Sequence, residues 1–540
     1  MAVTISDYPL HQLINDLKPK FSTGSAYNEI LISNIETYLR KIGSNTIVIE
    51  DEYVDTHFID DYCGHYGRCF TDYNRKCVRL HFFEKKFDEM SFFRLLAGPD
   101  ISMQDVEYSL GRYLGFIVLR PIPSSVFGKI CLSVCPDITF PSNTNMRCLS
   151  KVISKPYVTH LCGLTFRFYA VAFQEQDHAI SACATVALWM GFNAFPDLQP
   201  RDVLSPYKIS EIVKKQHVEG SFSHIVGKGL NVAQISSVIT ERALESLPIR
   251  PVTFSYAKAV IKAYLSMNIP IILGIDLVKK TDNPEKVFSL GKHAVTVIGF
   301  EGQKKICPFR TSQVSKEDDI DIFLESSAID SLIVHDDQIG PYSKMRFSSE
   351  YGFSLTTEWK DRSDMGAFDA FIDVLAIMNI PKVRIRFSTI LEQTKELNKL
   401  LYNAYKNEGY FISWEIQLNN VCTLKRDVLS NQCIDDVDKI KIVTESLPRY
   451  IWTVDLFIRK NNEYEDVPER VATYYYDATD METAGLFLLG INYNKVCMKI
   501  TKAVFESAYI TPKDFCRSNL QLKEVYSNVD GDKTSGLVMG

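Results

Sequence analysis

Residues 183–194, CATVALWMGFNA, would carry apolar side chains on every face of the helix they form. A helix of that kind has no side to give to water, so the chain has to wrap it in other elements. The approach to it, QEQDHAIS at 174–181, is polar, and the abrupt change of character sets Cys183 in the first turn. Backbone N–H groups at that end of a helix have no acceptor within it and favour an anion. A sulfur there is disposed toward the thiolate, and an oxyanion forming beside it would meet the same N–H groups.

The segments that follow define what does the wrapping. SPYKISEIVKKQ, NVAQISSVITERAL and YAKAVIKAYLSM repeat apolar residues at three- and four-residue spacing and read as helices. IPIILGIDL is too short and too rich in isoleucine for a helix and reads as a buried strand, with further strands in GKHAVTVIGFEG and SLIVHDDQIGPYSKM. Helices come first and strands second, which predicts an α+β fold in which a helical half packs on an antiparallel half. On either side lie α+β segments. One covers 1–155, with strands in TIVIEDEYV, KCVRLHFF, YLGFIVLRPIP and GKICLSV. The other covers 376–540, where the helix FSTILEQTKELNKLLYNAYKNEG precedes strands in FISWEIQL, YIWTVDLFIRK, RVATYYYDATD and GLFLLGINY. The central unit is then 156–375, and the polar tail YSNVDGDKTSGLVMG is expected to be loose.

Composition removes several classes of function. The chain of 540 residues is 46% hydrophobic and 23% charged, as in ordinary globular proteins. Its net charge of −6, with lysines and arginines scattered, gives no positive field for nucleic acid. The N-terminus has no signal-peptide pattern and no apolar run is long enough for a bilayer, so neither a membrane partner nor export is expected. Thirteen irregularly spaced cysteines suit reduced thiols in a cytoplasm.

A nucleophilic thiol needs a base, and the base needs an acceptor that fixes its tautomer. GKHAVTVIGF offers His293 at the mouth of a strand, with Val295 and Val297 following on the same face. LIVHDDQIG offers Asp336 and Asp337 at the end of another strand, before a turn at Gly340. Strand alternation sends these two carboxylates to opposite faces, so only one should reach the imidazole. His335 is a competing base, expected on the far side. For the oxyanion, the side-chain candidates are Gln176 and, two residues earlier, Gln174.

This order of residues resembles papain-like cysteine peptidases, and is most similar to the bacterial leader-peptide-processing group. A Gln-containing approach, a Cys opening a buried helix, further helices, IPIILGI, a strand beginning HAV and an apolar strand ending in Asp before Gly carry the resemblance over about 160–345. It implies Cys183 as nucleophile, His293 as general base and acid, Asp336 as the residue orienting the histidine, and Gln176 in the oxyanion hole. Ala184 departs from the Gly or aromatic residue common after the nucleophile. The resemblance implies a peptide or protein substrate, with no cofactor and no metal, and a cytoplasmic enzyme cleaving a peptide or isopeptide bond. Transglutaminase-like acyl transfer or amidase chemistry would use the same triad, and a silent papain-like module would only bind peptide. The flanking segments suggest a dedicated protein partner.

Other clusters offer less. Cys63, His65, Cys69 and Cys77 lack the two close pairs typical of zinc sites. Asp477, Thr479 and Asp480 read as a hydrogen-bonded turn after a strand, and GKGLN at 227–231 as a helix start rather than a phosphate loop.

Overall fold

The computed structural model describes residues 3–526 except 7–8, 18–28, 99–101, 123–124, 137–148, 178, 180–181, 200–201, 216–228, 252, 280–287, 303–307, 310–321, 349–353, 361–366, 432–433, 435, 461–467, 482–485, 494–498, 501–502 and 504–522. The fold mixes helix and strand throughout, as an α+β chain should. No helix among the described residues is long and apolar enough to cross a membrane. Apart from Tyr526, the tail expected to be loose lies outside the described residues.

The N-terminal part is a five-stranded antiparallel sheet in chain order: β1 (Val3–Ser6), β2 (Thr46–Tyr53), β3 (Cys77–Phe83), β4 (Tyr113–Leu119) and β5 (Phe127–Leu132). Among the described residues it is punctuated by the α-helices α1 (Leu10–Leu17), α2 (Glu29–Lys41), α3 (Thr56–Gly64), α4 (Glu89–Leu96) and α5 (Met103–Leu110). Strand β6 (Leu149–Val152) then leads to the hairpin β7 (Lys155–Leu161) and β8 (Leu164–Ala170). Burial alternates strictly along that hairpin, as one-sided packing requires.

The apolar helix is α6 (Cys183–Ala194), in which every residue after Cys183 is buried. Gly191 allows its close approach to the strands beneath. A Cβ there would stand 2.6 Å from Met378 Cε and 3.0 Å from Ile272 Cδ1. Lys155 Nζ, buried, donates to the carbonyl of Phe195 just past the helix end at 2.7 Å and so complements its negative pole. Helices α7 (Pro206–Lys215), α8 (Val232–Glu241) and α9 (Phe254–Leu265) follow, as the periodicity predicts. The start of α8 is a capping box between Asn231 and Gln234, which accounts for the GLN end of GKGLN.

Beyond strand β9 (Glu245–Ile249), the chain builds a closed barrel from β10 (Ile271–Lys279), β11 (Phe288–Gly302), β14 (Ile329–Asp336), β15 (Gly340–Phe347), β16 (Ser354–Lys360) and β17 (Ala367–Asn379). Each pairs with the next antiparallel, and β17 returns to pair with β10, so the sheet closes. Strand β9 adds to β17 outside the ring and β6 to β11, while β12 (Pro308–Phe309) and β13 (Ile322–Phe323) form a small ladder of their own. The helix α6 lies against β11, where Thr296 Oγ1 donates to the carbonyl of Ala187 at 2.8 Å. The pattern restart expected at 376 falls within β17, and the chain leaves the barrel only after Asn379.

After the barrel, α10 (Phe387–Asn407) packs on a second five-stranded sheet of β18 (Tyr410–Asn420), β19 (Tyr450–Lys460), β20 (Glu469–Asp477), β21 (Phe487–Asn492) and β22 (Lys523–Tyr526). Two short helices, α11 (Val421–Ser430) and α12 (Asp436–Thr444), connect β18 to β19. At the end of β20, the backbone N–H and the Oγ1 of Thr479 donate to Asp477 Oδ1 at 2.6 and 2.7 Å, a hydrogen-bonded turn. Buried charges join this sheet to the centre: Lys262 meets Glu415 at 2.7 Å and Arg459 meets Glu325 at 2.9 Å. One buried core runs without a break from Leu10 to Phe487.

Candidate active site

Three elements converge on one imidazole. Cys183 opens α6 and is partly exposed, whereas its successors are all buried. Its N-cap, Ala182, supplies no side-chain hydrogen bond, and the Ala182 carbonyl takes the N–H groups of Thr185 and Val186. The helix therefore offers no acceptor to the N–H groups of Cys183 and Ala184.

His293, expected at the mouth of a strand, lies inside β11, which begins at Phe288; it stands opposite Ile275 of β10 and is 5% exposed. The register that pairs Thr296 with His335 sets the end of β14 beside it. Asp336 Oδ1 is 3.1 Å from His293 Nε2. The same oxygen accepts the Gln338 N–H at 3.1 Å, and the Asp336 carbonyl accepts that of Ile339 at 3.1 Å, so the carboxylate is locked into its own turn. The Cys183 thiol is close enough to the His293 ring to favour its charged form. Burial on its own would depress this imidazole. Asp336, by charge and hydrogen bond, then Cys183 and Asp337 outweigh it and raise the group well above its ordinary value.

The expectation that only one aspartate reaches the histidine is not met. Asp337 Oδ1 stands 3.5 Å from the same Nε2. Alternation governs side chains within a strand, but β14 ends at Asp336, and Asp337 belongs to the turn, free of the pleat. His335 points elsewhere, edge-on to Phe173 and Tyr342 with ring centroids 5.6 and 4.9 Å away. Burial lowers it to about 3 and keeps it neutral.

Gln176 and Gln174 are both buried in the stretch 171–177 after β8. That stretch is fastened to the N-terminal part of the chain. The Tyr66 hydroxyl donates to Asp177 Oδ2, the Arg120 guanidinium to the Glu175 carbonyl at 3.3 Å, and the Phe127 N–H to Glu175 Oε2 at 3.0 Å. From α3, His57 Nδ1 accepts the indole N–H of Trp189 at 2.8 Å, which ties the middle of α6 as well. Accepting at Nδ1 requires a neutral ring, and burial lowers His57 to about 4. From α2, Asn34 Nδ2 donates to the Ile339 carbonyl at 2.9 Å, and Tyr38 stacks on Tyr342 at 4.8 Å, so the aspartate turn is held too. Nothing in local sequence pattern announces these contacts, because the nearest of them, Phe127 to Glu175, already joins residues 48 positions apart.

His293, Asp336 and Asp337 also bring three ligand atoms within 4.8 Å of one another, a set that could hold a divalent cation. Such an ion would take Nε2 away from its hydrogen bond with Asp336.

The buried groups around the site make stability depend on pH. Burial raises Asp61 to about 8, and Glu175 and Asp337 to about 7. In the unfolded chain these carboxyls titrate near 4, so the folded state binds more protons above that point, and stability falls as pH rises through the folded values. His57 and His335 act in the opposite sense, but only below about 6.5, where an unfolded imidazole takes up a proton. We expect a loss on the order of 3 kcal/mol between pH 6.5 and 8, measured by denaturant unfolding at the two pH values. Stability that rises over this interval would contradict the buried-carboxyl assignments.

No protein-family model matches this chain, and no curated protein does either.

Proposed function

We propose that this protein is a papain-like thiol hydrolase that cleaves a peptide or isopeptide bond through Cys183, His293 and Asp336. The observation that carries this reading is a buried imidazole, His293, held by Asp336 at 3.1 Å and raised further by the Cys183 thiol beside it. A buried helix packed on a closed antiparallel barrel, with the thiol at the helix start and the imidazole on the barrel, supports the papain-like architecture.

The chemistry follows from the three positions. Cys183 and His293 pair as thiolate and imidazolium, an arrangement that the raised imidazole favours. The thiolate adds to the carbonyl carbon, and the oxyanion meets the Cys183 N–H and the Gln176 amide. His293 passes its proton to the leaving amine as the C–N bond breaks, which leaves a thioester and a neutral ring. Water then gives a proton to His293 and its oxygen to the acyl carbon, and the thiolate departs. Asp336 keeps the ring in one tautomer and orientation throughout. The eight described cysteines are all free, which suits a reducing compartment such as the cytoplasm.

Limited alkylation with iodoacetamide at neutral pH, read by peptide mass spectrometry, tests this. Exposure alone would direct the reagent to Cys63, Cys69, Cys162 and Cys422, which are all exposed. A thiolate paired with imidazolium directs it to the half-buried Cys183 first. Labelling in order of exposure, with Cys183 last, would refute the proposal.

A further inference from the structure

The triad leaves one member of the cluster without a task. Asp337 is wholly buried, and neither of its carboxylate oxygens has a hydrogen-bond partner among the described residues. No lysine or arginine among them pairs with it. A carboxylate taken out of water needs donors or a positive charge. One oxygen of Asp337 is aimed at His293 Nε2, 3.5 Å away, where Asp336 Oδ1 already stands at 3.1 Å. That nitrogen has one hydrogen to give, and Asp336 is placed to take it. What would satisfy Asp337 is therefore a positive charge placed between the three side chains.

Spacing and donor type indicate which charge. Zinc holds imidazole nitrogen and carboxylate oxygen at about 2.0–2.2 Å in a tetrahedron, which sets neighbouring ligand atoms about 3.3 Å apart. The two nitrogen-to-oxygen edges, 3.1 and 3.5 Å, bracket that value. All three ligand atoms lie within 4.8 Å of one another, and the edge between the two carboxylates is the one a cation would draw in. Two carboxylates cancel a double charge, as burial demands. An imidazole in the set favours zinc over calcium and magnesium, which take oxygen ligands. We infer that His293, Asp336 and Asp337 form a binding site for a zinc-class divalent cation and, resting on the thiol-hydrolase reading, that an ion there switches Cys183 off.

The switch follows from proton bookkeeping on one ring. The cation takes the lone pair of Nε2, and the proton that nitrogen carried leaves to solvent. The neutral ring keeps its single hydrogen on the other nitrogen, so it has no free position to accept the thiol proton and no charge to hold a thiolate. Cys183 is partly exposed and acts on the same ring, which marks the side from which an ion can enter. Removal of the ion restores the pair without any covalent change.

The test uses the full chain stripped with a chelator and then titrated with zinc alone at pH 7, bound metal being read by equilibrium dialysis. Exposed Cys63 and Cys69 offer a competing thiol site, so Cys63→Ser is measured beside Asp337→Asn. The wild type and Cys63→Ser should share one zinc ion that Asp337→Asn binds at least about tenfold more weakly. Zinc should raise the melting temperature of the wild type and not that of Asp337→Asn, whose own melting temperature shows that it folds. Zinc-loaded wild type should react with iodoacetamide at Cys183 at least about tenfold more slowly than the metal-free protein, and Asp337→Asn in the same zinc should keep its rate, which excludes capture by the sulfur alone. Zinc binding that Asp337→Asn leaves intact, or that Cys63→Ser abolishes, overturns the proposal, as does a loaded wild type that reacts at the metal-free rate. Metal-free wild type without preferential Cys183 labelling would instead refute the thiol-hydrolase reading, with the dialysis result still deciding the cation site.

Discussion

Cys183→Ala is expected to end thiol chemistry altogether while leaving the protein as stable as before. Removing a covalent nucleophile costs peptide hydrolysis roughly four orders of magnitude or more. With p-nitrophenyl acetate as a generic acyl donor, the wild type should release a burst of about one nitrophenolate per chain, and the variant none. The thiol sits in the first turn of α6 and is partly exposed, so its loss opens no cavity, and alanine suits a helix. The unfolding free energy should change by less than about 0.5 kcal/mol. If Cys183 were merely a packing residue, the burst would persist and stability would drop.

The second large effect concerns a residue far from the chemistry. Arg120 is 2% exposed, and its Nη2 donates to the Ser125 carbonyl, the Ser125 hydroxyl and the Glu175 carbonyl at 3.1, 2.6 and 3.3 Å. Its charge also opposes the rise of Asp61 and Glu175. Arg120→Met removes the guanidinium whose charge favours both buried carboxylates and is expected to cost about 3–5 kcal/mol of stability. The cost should be larger at pH 8 than at pH 6, because at the lower pH the two carboxyls can accept protons in place of a counter-charge. Released from Arg120, the stretch carrying Gln176 should loosen, and the preference of iodoacetamide for Cys183 should weaken with it. Urea unfolding at the two pH values reads the first effect and alkylation mapping the second. A variant as stable as the wild type would show that the N-terminal part does not brace the site.

Much of the frame was legible because it is local. The spacing in SPYKISEIVKKQ and YAKAVIKAYLSM gave α7 and α9, and the short apolar runs gave β10, β11 and β14. The all-apolar character of 183–194 required a helix enclosed on every side, which α6 is. Cys183 and Asp336 are readable from their positions at the end of an element, whereas His293, expected at the mouth of a strand, lies inside β11, which begins at Phe288; both act on its ring. Barrel closure was not readable, since the pairing of β10 with β17 joins Ile271 to Ile377, and no short-range signal specifies a partner that distant. For the same reason 1–155 looked like a separate flank, although Tyr66, Arg120, His57 and Asn34 all reach the segments that carry the site. Asp337 reaches the imidazole because strand alternation stops at Asp336, one residue before it.

The pairing of Cys183 with His293 is the claim on which the rest depends, and one rate ratio tests it. The Cys183 alkylation rate at pH 6 is measured for the wild type and for His293→Ala, with Cys63 as internal reference because it is exposed. If the imidazolium holds the sulfur as a thiolate, the variant should react at Cys183 at least tenfold more slowly while Cys63 is unchanged. Equal Cys183 rates in the two proteins would contradict the pairing and, with it, the proposed catalytic site.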